Sequence, residues 1–313
     1  MAAWKILLTD GLEKIGQEIM RESAQVDDRK GITAEELLQV VGEYDAVIVR
    51  GRTKMTPEVF DAATNLKVVG RAGVGVDNIN LDAAREHGVT VVNSPTATTL
   101  AVAELTMGML LAVVREIPRA DAAMKNGQWL KKELMGRELN GKTLGIIGLG
   151  RIGTAVAKRA AAFGMEIVVY DYKLTDEDII ECGCRPVPLD ELYACSDMIT
   201  MHIPLTQHSR NLLNAESFDK MKQGVYIVCA ARGGVIDEDA LLGALNSGKV
   251  AGVALDVFIK EPPGETDLVK HPKVIAVPHV GAQTVEAQDR AAVDIGTEVV
   301  AALKGEDLRW RCV

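Results

Sequence analysis

The sequence has no long apolar run. Its uninterrupted apolar stretches reach about ten residues, roughly half of what a membrane-spanning helix needs. A basic balance is missing too. With 35 Lys and Arg against 44 Asp and Glu, the formal net charge is −9, and the pI is near 5.2. A general nucleic-acid binder needs a basic face, so that class is excluded. A local basic pocket for a small anion is not. Nor is there a disulfide framework: five cysteines are an odd count in a chain of 313 residues and read as reduced thiols. Cys182-Gly183-Cys184 is half of a metal-site pattern with no second pair, so no metal is expected. The opening Met1-Ala2-Ala3-Trp4-Lys5 runs straight into a strand-like segment without a signal-peptide layout. No internal repeat or low-complexity segment occurs. The expectation is a cytoplasmic protein with neither membrane nor nucleic-acid partner.

What is present is apolar sequence in short blocks. Hydrophobic residues make up 48% of the chain, and its length suits two cores rather than one. Lys5 to Thr9, Ala46 to Arg50, Leu66 to Gly70 and Thr90 to Asn93 read as strands. They are rich in Val, Ile and Leu without polar alternation, as parallel strands covered on both faces are. Thr33 to Val41 and Pro57 to Ala63 fit helices opened by Thr or Pro. A second series starts near Leu144, with strands at Leu144 to Ile147, Ile167 to Tyr170, Met198 to Met201, Tyr226 to Val228, Gly252 to Leu255 and Val274 to Ala276. Alternating strands and helices predict α/β architecture, with two Rossmann-like, doubly wound parallel-sheet domains and the active site in the cleft between them. A helix over Glu286 to Leu303 lies near the chain end and could return to the first domain. The expected division is 1–95 with 284–313 as a discontinuous substrate-binding domain, and 96–283 as a nucleotide-binding domain. Between the two series, Leu100 to Arg115 is a helix apolar all round. Either a second copy of the chain covers it, or it is buried within its own chain.

The pattern G-x-G-x-x-G occurs once in a telling context. Gly148, Gly150 and Gly153 follow a strand and open a helix over Thr154 to Phe163. Such glycines permit a tight turn and close backbone approach, and the helix start offers N–H groups to a pyrophosphate. Asp171 ends the next strand, about eighteen residues beyond Gly153, where a carboxylate accepts from a ribose 2′-hydroxyl. A 2′-phosphate would be repelled there, so the cofactor expected is NAD rather than NADP, with Lys173 a nearby cation.

Three polar residues follow separate strands of the second series: Arg232, Glu261 and His279. Residues beyond the carboxyl ends of parallel strands face the ligand crevice. Taken singly, Arg232 could be a structural ion-pair residue, Glu261 a turn residue and His279 a loop histidine. Together they suit hydride transfer. A base must take the hydroxyl proton, which His does near neutral pH. A cation must hold a carboxylate or carbonyl, and Arg offers a fork. A carboxylate beside the His orients the ring and favours its protonated form. His87, His208 and His271 are assigned to structure, as is His202, which is also a candidate to line the cofactor crevice.

At these residues the sequence resembles the D-isomer-specific 2-hydroxyacid dehydrogenases. The resemblance covers nearly the whole chain through Gly70 to Asn78, Glu138 to Gly145, Ala231 to Glu238, Asp256 to Phe258 and Pro278 to Ala282. It implies Arg232 as the substrate-binding and electrostatic residue, Glu261 as partner of the base, and His279 as acid/base. It implies cofactor contacts from Arg151, Ile152, Asp171, Ile203, Ala230, Ala231, Asp256 and Gly281. Backbone N–H groups of Val74 and Gly75 would hold the substrate carboxylate. Within the family, the likeness is to members that oxidise 3-phospho-D-glycerate. A phosphate needs further cations, and Arg50, Arg71 and Lys131 are the candidates. The resemblance puts Arg50 and Arg71 on the substrate side and brings Lys131 from the neighbouring subunit of a homodimer or homotetramer. Arg52 and Lys54 read as solvated surface charges. Two positions depart from the family pattern. Thr98, in Pro95 to Thr99, replaces an Asn, and Cys229 stands where an Asn often precedes the Ala-Arg-Gly segment. Longer members carry regulatory domains beyond the position of Val313, and feedback by serine through such a domain is not expected of this chain. Two other functions remain in view: a glyoxylate or hydroxypyruvate reductase, and an NAD-sensing module like the corepressors that share this fold.

Overall fold

The computed structural model describes residues 4–313. The N-terminal expectation rests on Met1 to Ala3 and so lies outside the described residues. The chain forms two compact units, Met1–Thr99 with Ala282–Val313, and Leu100–Gly281.

The first unit holds a five-stranded parallel sheet made of β1 (Trp4–Leu8), β2 (Ala24–Asp28), β3 (Ala46–Val49), β4 (Val68–Arg71) and β5 (Thr90–Asn93), in the order β2-β1-β3-β4-β5. Alternate residues go to opposite faces, as strand geometry requires. Leu7, Val47, Val49, Val69 and Val91 join one core, and Ile6, Leu8, Ile48, Val68 and Val92 the other. The second core is closed by the helix Val285–Lys304, which adds Ala292, Ile295 and Val299. That helix meets the helix Lys14–Arg21 so closely that a Cβ at Gly16 would overlap the carbonyl of Ala292. Buried Glu298 accepts from the backbone N–H groups of Arg309 (2.9 Å) and Trp310 (3.2 Å). This holds the last residues against β5, where Arg311 forms an antiparallel bridge with Val92.

The second unit holds seven parallel strands: β6 (Thr143–Ile147), β7 (Glu166–Tyr170), β8 (Arg185–Pro186), β9 (Met198–Met201), β10 (Val225–Cys229), β11 (Val250–Leu255) and β12 (Val274–Ala276). Their order is β12-β11-β10-β9-β6-β7-β8. Helices cover both faces. Ile199, Met201, Ile227 and Leu255 point into one core, and Leu144, Ile146, Val169 and Val228 into the other. The apolar helix Thr99–Val114 contributes Ala103, Met107, Leu110 and Val114 to this latter core. It is therefore buried within its own chain, and its apolar composition carries no argument for a second copy. Among the described residues no helix is long and apolar enough to cross a membrane, and no cluster of three or more His, Cys, Asp or Glu could hold a metal ion.

β2 and β8 have no counterpart among the sequence-predicted strands. Both are edge strands. β2 pairs only with β1, reads Ala-Gln-Val-Asp-Asp, and has one buried residue, Ala24.

The helix contact gives a paired prediction. Gly16→Ala should destabilise the protein by about 1–3 kcal/mol through overpacking against backbone. Gly243, in the helix Glu238–Asn246, has open space where a Cβ would lie. Gly243→Ala should stabilise by up to about 1 kcal/mol through helix propensity. Urea-unfolding midpoints check both signs.

Candidate active site

In an open parallel sheet, ligands bind beyond the carboxyl ends of the strands, where the strand order reverses. In the second unit that point lies between β6 and β9, flanked by β7. Ile147 pairs with Met201, Met201 with Cys229, Cys229 with Leu255, and Leu255 with Ala276. The segments that follow these residues therefore leave the sheet along one rim.

The glycine loop leaves β6 at this rim. Gly148 has φ +92°, which favours glycine. A Cβ there would lie 2.6 Å from Ile203 and 2.8 Å from the carbonyl oxygen of His202. A Cβ at Gly153 would overlap the carbonyl of Gly148. Gly150 differs, because nothing lies within 4 Å of its missing Cβ. The backbone at Gly150 is therefore bare, and the helix Arg151–Ala162 starts from it without a side-chain cap. An uncapped helix start with bare backbone fits a pyrophosphate. Asp171 closes the loop, accepting from the N–H of Leu149 at 2.7 Å and from that of Lys173 at 2.8 Å. Its Oδ1 also accepts from the N–H of Leu174 at 3.3 Å, so Oδ2 is the oxygen that keeps a further lone pair for a ribose hydroxyl.

Arg232, Glu261 and His279 follow β10, β11 and β12. His279 Nδ1 lies 2.8 Å from Glu261 Oε2. An ionised carboxylate only accepts, so Nδ1 carries the hydrogen and Nε2 keeps its lone pair. Glu261 is oriented in turn, since its Oε1 accepts from the N–H of Phe258 at 3.1 Å. His279 has φ +52°, a conformation that costs a non-glycine residue about 1–2 kcal/mol. Two hydrogen bonds hold it there. Asp256 Oδ1 accepts from Val280 N–H (2.6 Å) and Oδ2 from Gly281 N–H (2.9 Å). Asp256 is buried, and desolvation raises its pKa while these two N–H groups oppose the rise. Holding the His279 loop is a role that sequence reasoning did not assign to Asp256. The Arg232 guanidinium donates to its neighbour's carbonyl, Ala231 O, at 2.7 Å. The next residue, Gly233, packs so tightly that a Cβ would overlap the carbonyl of Phe258. The loops bearing Arg232 and Glu261 thus touch backbone to backbone. Cys229 is buried, and desolvation pushes its thiol pKa up to about 11, while hydrogen bonds from the backbone N–H groups of Ala231 and Arg232 oppose the rise. Its sulfur thus meets donors that an Asn side-chain carbonyl could also meet.

In the first unit, the order β2-β1-β3 reverses at β1, and the rim beyond β1 and β3 carries charge. Arg50 follows β3, and its guanidinium meets both oxygens of Glu13, at 2.9 and 3.4 Å. Its N–H donates to Asp10 at 2.7 Å. Glu13 was not among the sequence candidates. Arg52 is exposed but also held in place. It donates to the carbonyls of Thr9 (2.7 Å) and Ile32 (2.8 Å) and pairs with Asp10 at 3.0 Å. The loop is pinned because those carbonyls need donors. Lys54 is exposed. Arg71 folds over Gly73, where a Cβ would overlap its guanidinium. Asn93 donates to the carbonyl of Val74 at 2.7 Å, fixing the turn whose N–H groups at Val74 and Gly75 were expected to hold a carboxylate. Lys131 lies in the second unit and is exposed.

Comparison with known proteins agrees with this geometry. Residues 107–281 match the model for the D-isomer specific 2-hydroxyacid dehydrogenase NAD binding domain. D-3-phosphoglycerate dehydrogenase of Rattus norvegicus is 48% identical over 305 residues, covering 97% of this chain and 57% of that protein. The chain thus spans little more than half the length of the curated relatives it matches. A glyoxylate reductase from Paecilomyes thermophila superposes with TM-score 0.91 at 32% identity, covering 100% of this chain and 99% of that one. D-lactate dehydrogenase from Aquifex aeolicus, complexed with NAD and lactic acid, gives TM-score 0.84 at 32% identity, covering 96% of both chains. The second unit is an NAD-binding domain. The chain belongs to the D-isomer-specific 2-hydroxyacid dehydrogenase family.

His202 yields a pH prediction. Its Nε2 lies 3.2 Å from the Thr200 hydroxyl, and its Nδ1 is buried without a partner among the described residues. Burial lowers its pKa from 6.5 to about 4. Between those values the unfolded chain binds a proton that the folded one does not. Stability is therefore unaffected above about pH 6.5 and falls as pH drops towards 4, by about 1–3 kcal/mol. In His202→Leu this component should vanish, so urea midpoints of the two proteins should diverge over that window. Parallel profiles would count against it.

Proposed function

We propose that the chain oxidises the C2 hydroxyl of 3-phospho-D-glycerate to 3-phosphohydroxypyruvate, the first step of phosphorylated serine biosynthesis. The observation that carries the chemistry is the 2.8 Å pair of His279 Nδ1 and Glu261 Oε2, held at a left-handed backbone position. His279 Nε2 takes the hydroxyl proton, and the charge that develops on the ring is balanced by Glu261. Arg232 holds the carboxylate and polarises the C2–O bond. Bound NAD supplies the acceptor for the hydride that leaves C2. Arg151, Ile152, Asp171, Ile203, Ala230, Ala231, Asp256 and Gly281 are its proposed contacts, with Gly148, Gly150 and Gly153 admitting the pyrophosphate.

The substrate reading rests on identity to the phosphoglycerate dehydrogenases and on Arg50 and Arg71. The N–H groups of Val74 and Gly75 take the carboxylate in this reading. A guanidinium has five donors, so Arg50 can keep Glu13 and still meet a phosphate. One observation favours the second reading, a glyoxylate or hydroxypyruvate reductase: Glu13 already neutralises Arg50. The protein is further proposed to work in the cytoplasm as a homodimer or homotetramer. Ile117 (52% exposed), Met124 (57%), Trp129 (75%) and Met135 (84%) form the apolar segment that a second copy would cover, with Lys131 among them. Sedimentation should then report at least twice the 33.6 kDa chain mass.

His279→Ala should abolish most turnover and leave NADH affinity nearly intact; equal loss of both contradicts the acid/base role. Steady-state rates with 3-phosphohydroxypyruvate and hydroxypyruvate separate the two substrate readings. The wild type should prefer the phosphorylated acid, and Arg50→Ala should erase most of that preference, by about tenfold or more for one charge-assisted contact. If Arg50→Ala slows both acids alike, the phosphate role fails.

A further inference from the structure

Glu238 closes the Ala231 to Glu238 motif, yet neither the cofactor nor the proposed chemistry uses it. Its Oε1 accepts from the N–H of Ile259 at 2.7 Å. Ile259 stands two residues before Glu261, at the point where the loop after β11 leaves the core. Asp256, Val257 and Phe258 are buried, but eight of the nine residues 259–267 are exposed and Pro263 is intermediate. Ile259 itself is 58% exposed, so apolar packing does not hold the loop there. Glu238 is held by contrast. The segment before it is tied to its neighbour by Asn211 N–H to Gly234 O (2.8 Å) and Asp237 N–H to Leu213 O (2.8 Å). Asp237 caps the helix Glu238–Asn246, in whose first turn the Glu238 charge is favoured. A short bond from a carboxylate to an N–H is stronger than one between neutral groups.

We propose that Glu238 is a positioning residue for the acid–base pair, acting through the main chain of Ile259 on Glu261. It carries the rigidity of the segment that begins at Arg232 across to the exposed loop that presents Glu261 to His279. Removing it leaves Glu261 able to swing away from Nδ1, so His279 loses its orienting partner for part of the time. This inference rests on the reading of His279 and Glu261 given above.

A bland alternative is an acid that merely stabilises a helix start, and a double-mutant cycle tells the two apart. Reduction of 3-phosphohydroxypyruvate or hydroxypyruvate by NADH is measured on the full chain for wild type, E238A, E238Q, E261Q and E238A/E261Q. E238A should lower kcat about tenfold and leave KM for NADH within about twofold. E238Q keeps an acceptor oxygen and should retain at least about half of kcat. In the E261Q background, E238A should change kcat less than about twofold, because the residue it acts through is already gone. If E238A folds poorly by Tm and NADH binding, E238M removes the acceptor while keeping bulk and helix propensity. Equal losses in both backgrounds, or full activity of E238A or E238M, overturn the proposal. If His279→Ala stays active, the acid–base reading falls and takes this one with it. If His279→Ala is inactive and the losses multiply, only the role of Glu238 falls.

Discussion

The in-register parallel pairing of β6, β9, β10, β11 and β12 decides where the functional side chains of the second unit can lie. Ile147, Met201, Cys229, Leu255 and Ala276 stand side by side, so the residues after them form one rim. A slip of one residue in β11 would reverse its faces and send Asp256 away from Val280 and Gly281. Without those two bonds, the left-handed backbone at His279 would rest on its own turn onto Val277 O. The core that fixes the register, with Ile199, Ile227 and Leu255 on one face and Val228 and Ala254 on the other, is thus also what fixes the pair of His279 and Glu261.

A recurring device then locks each loop at a rim: a carboxylate accepts from main-chain N–H groups. Asp10 takes Arg50 and Thr53, Asp171 takes Leu149 and Lys173, and Asp256 takes Val280 and Gly281. Glu261 takes Phe258, and Glu238 takes Ile259. Loops of this kind have little apolar surface to bury, so charge-assisted bonds to backbone replace packing as their constraint. The proposed catalytic histidine and the nucleotide loop are both held in this way.

That device explains which parts were legible in the sequence. The buried strands were, because a strand covered on both faces must be apolar throughout, as Ala46–Val49 and Met198–Met201 are. The glycine loop was, because only glycine tolerates the contacts at Gly148 and Gly153. β2 and β8 were not, since β2 reads Ala-Gln-Val-Asp-Asp with one buried residue and β8 is only Arg185–Pro186, so neither carries an apolar run. The partners of the motif residues were equally hidden. Glu13 lies thirty-seven positions from Arg50, and nothing local to it marks a salt bridge. Asp256 stood in a motif, but its pairing with Val280 and Gly281 depends on β11 and β12 being neighbours. The helix Thr99–Val114 was legible as apolar, but composition does not say whether its own chain or a second copy covers it.

An acidic chain proposed to handle an anionic acid looks contradictory until the charges are located. The net charge of −9 sets an average field that repels a polyanion. A small anion meets only local charges. At the rim of the first unit Asp10 faces N–H donors, and at the rim of the second Asp171, Asp256, Glu238 and Glu261 do, so hydrogen bonding offsets part of each negative charge. Arg52 and Asp10, like Arg50 and Glu13, are paired. The balance in each unit is set by donors left over: the guanidinium of Arg50 in the first, and the bare backbone at Gly150 in the second. In the proposed reading, preference for a phosphorylated acid therefore turns on how completely Glu13 occupies Arg50. That is a question of local geometry, to which neither overall charge nor fold supplies the answer.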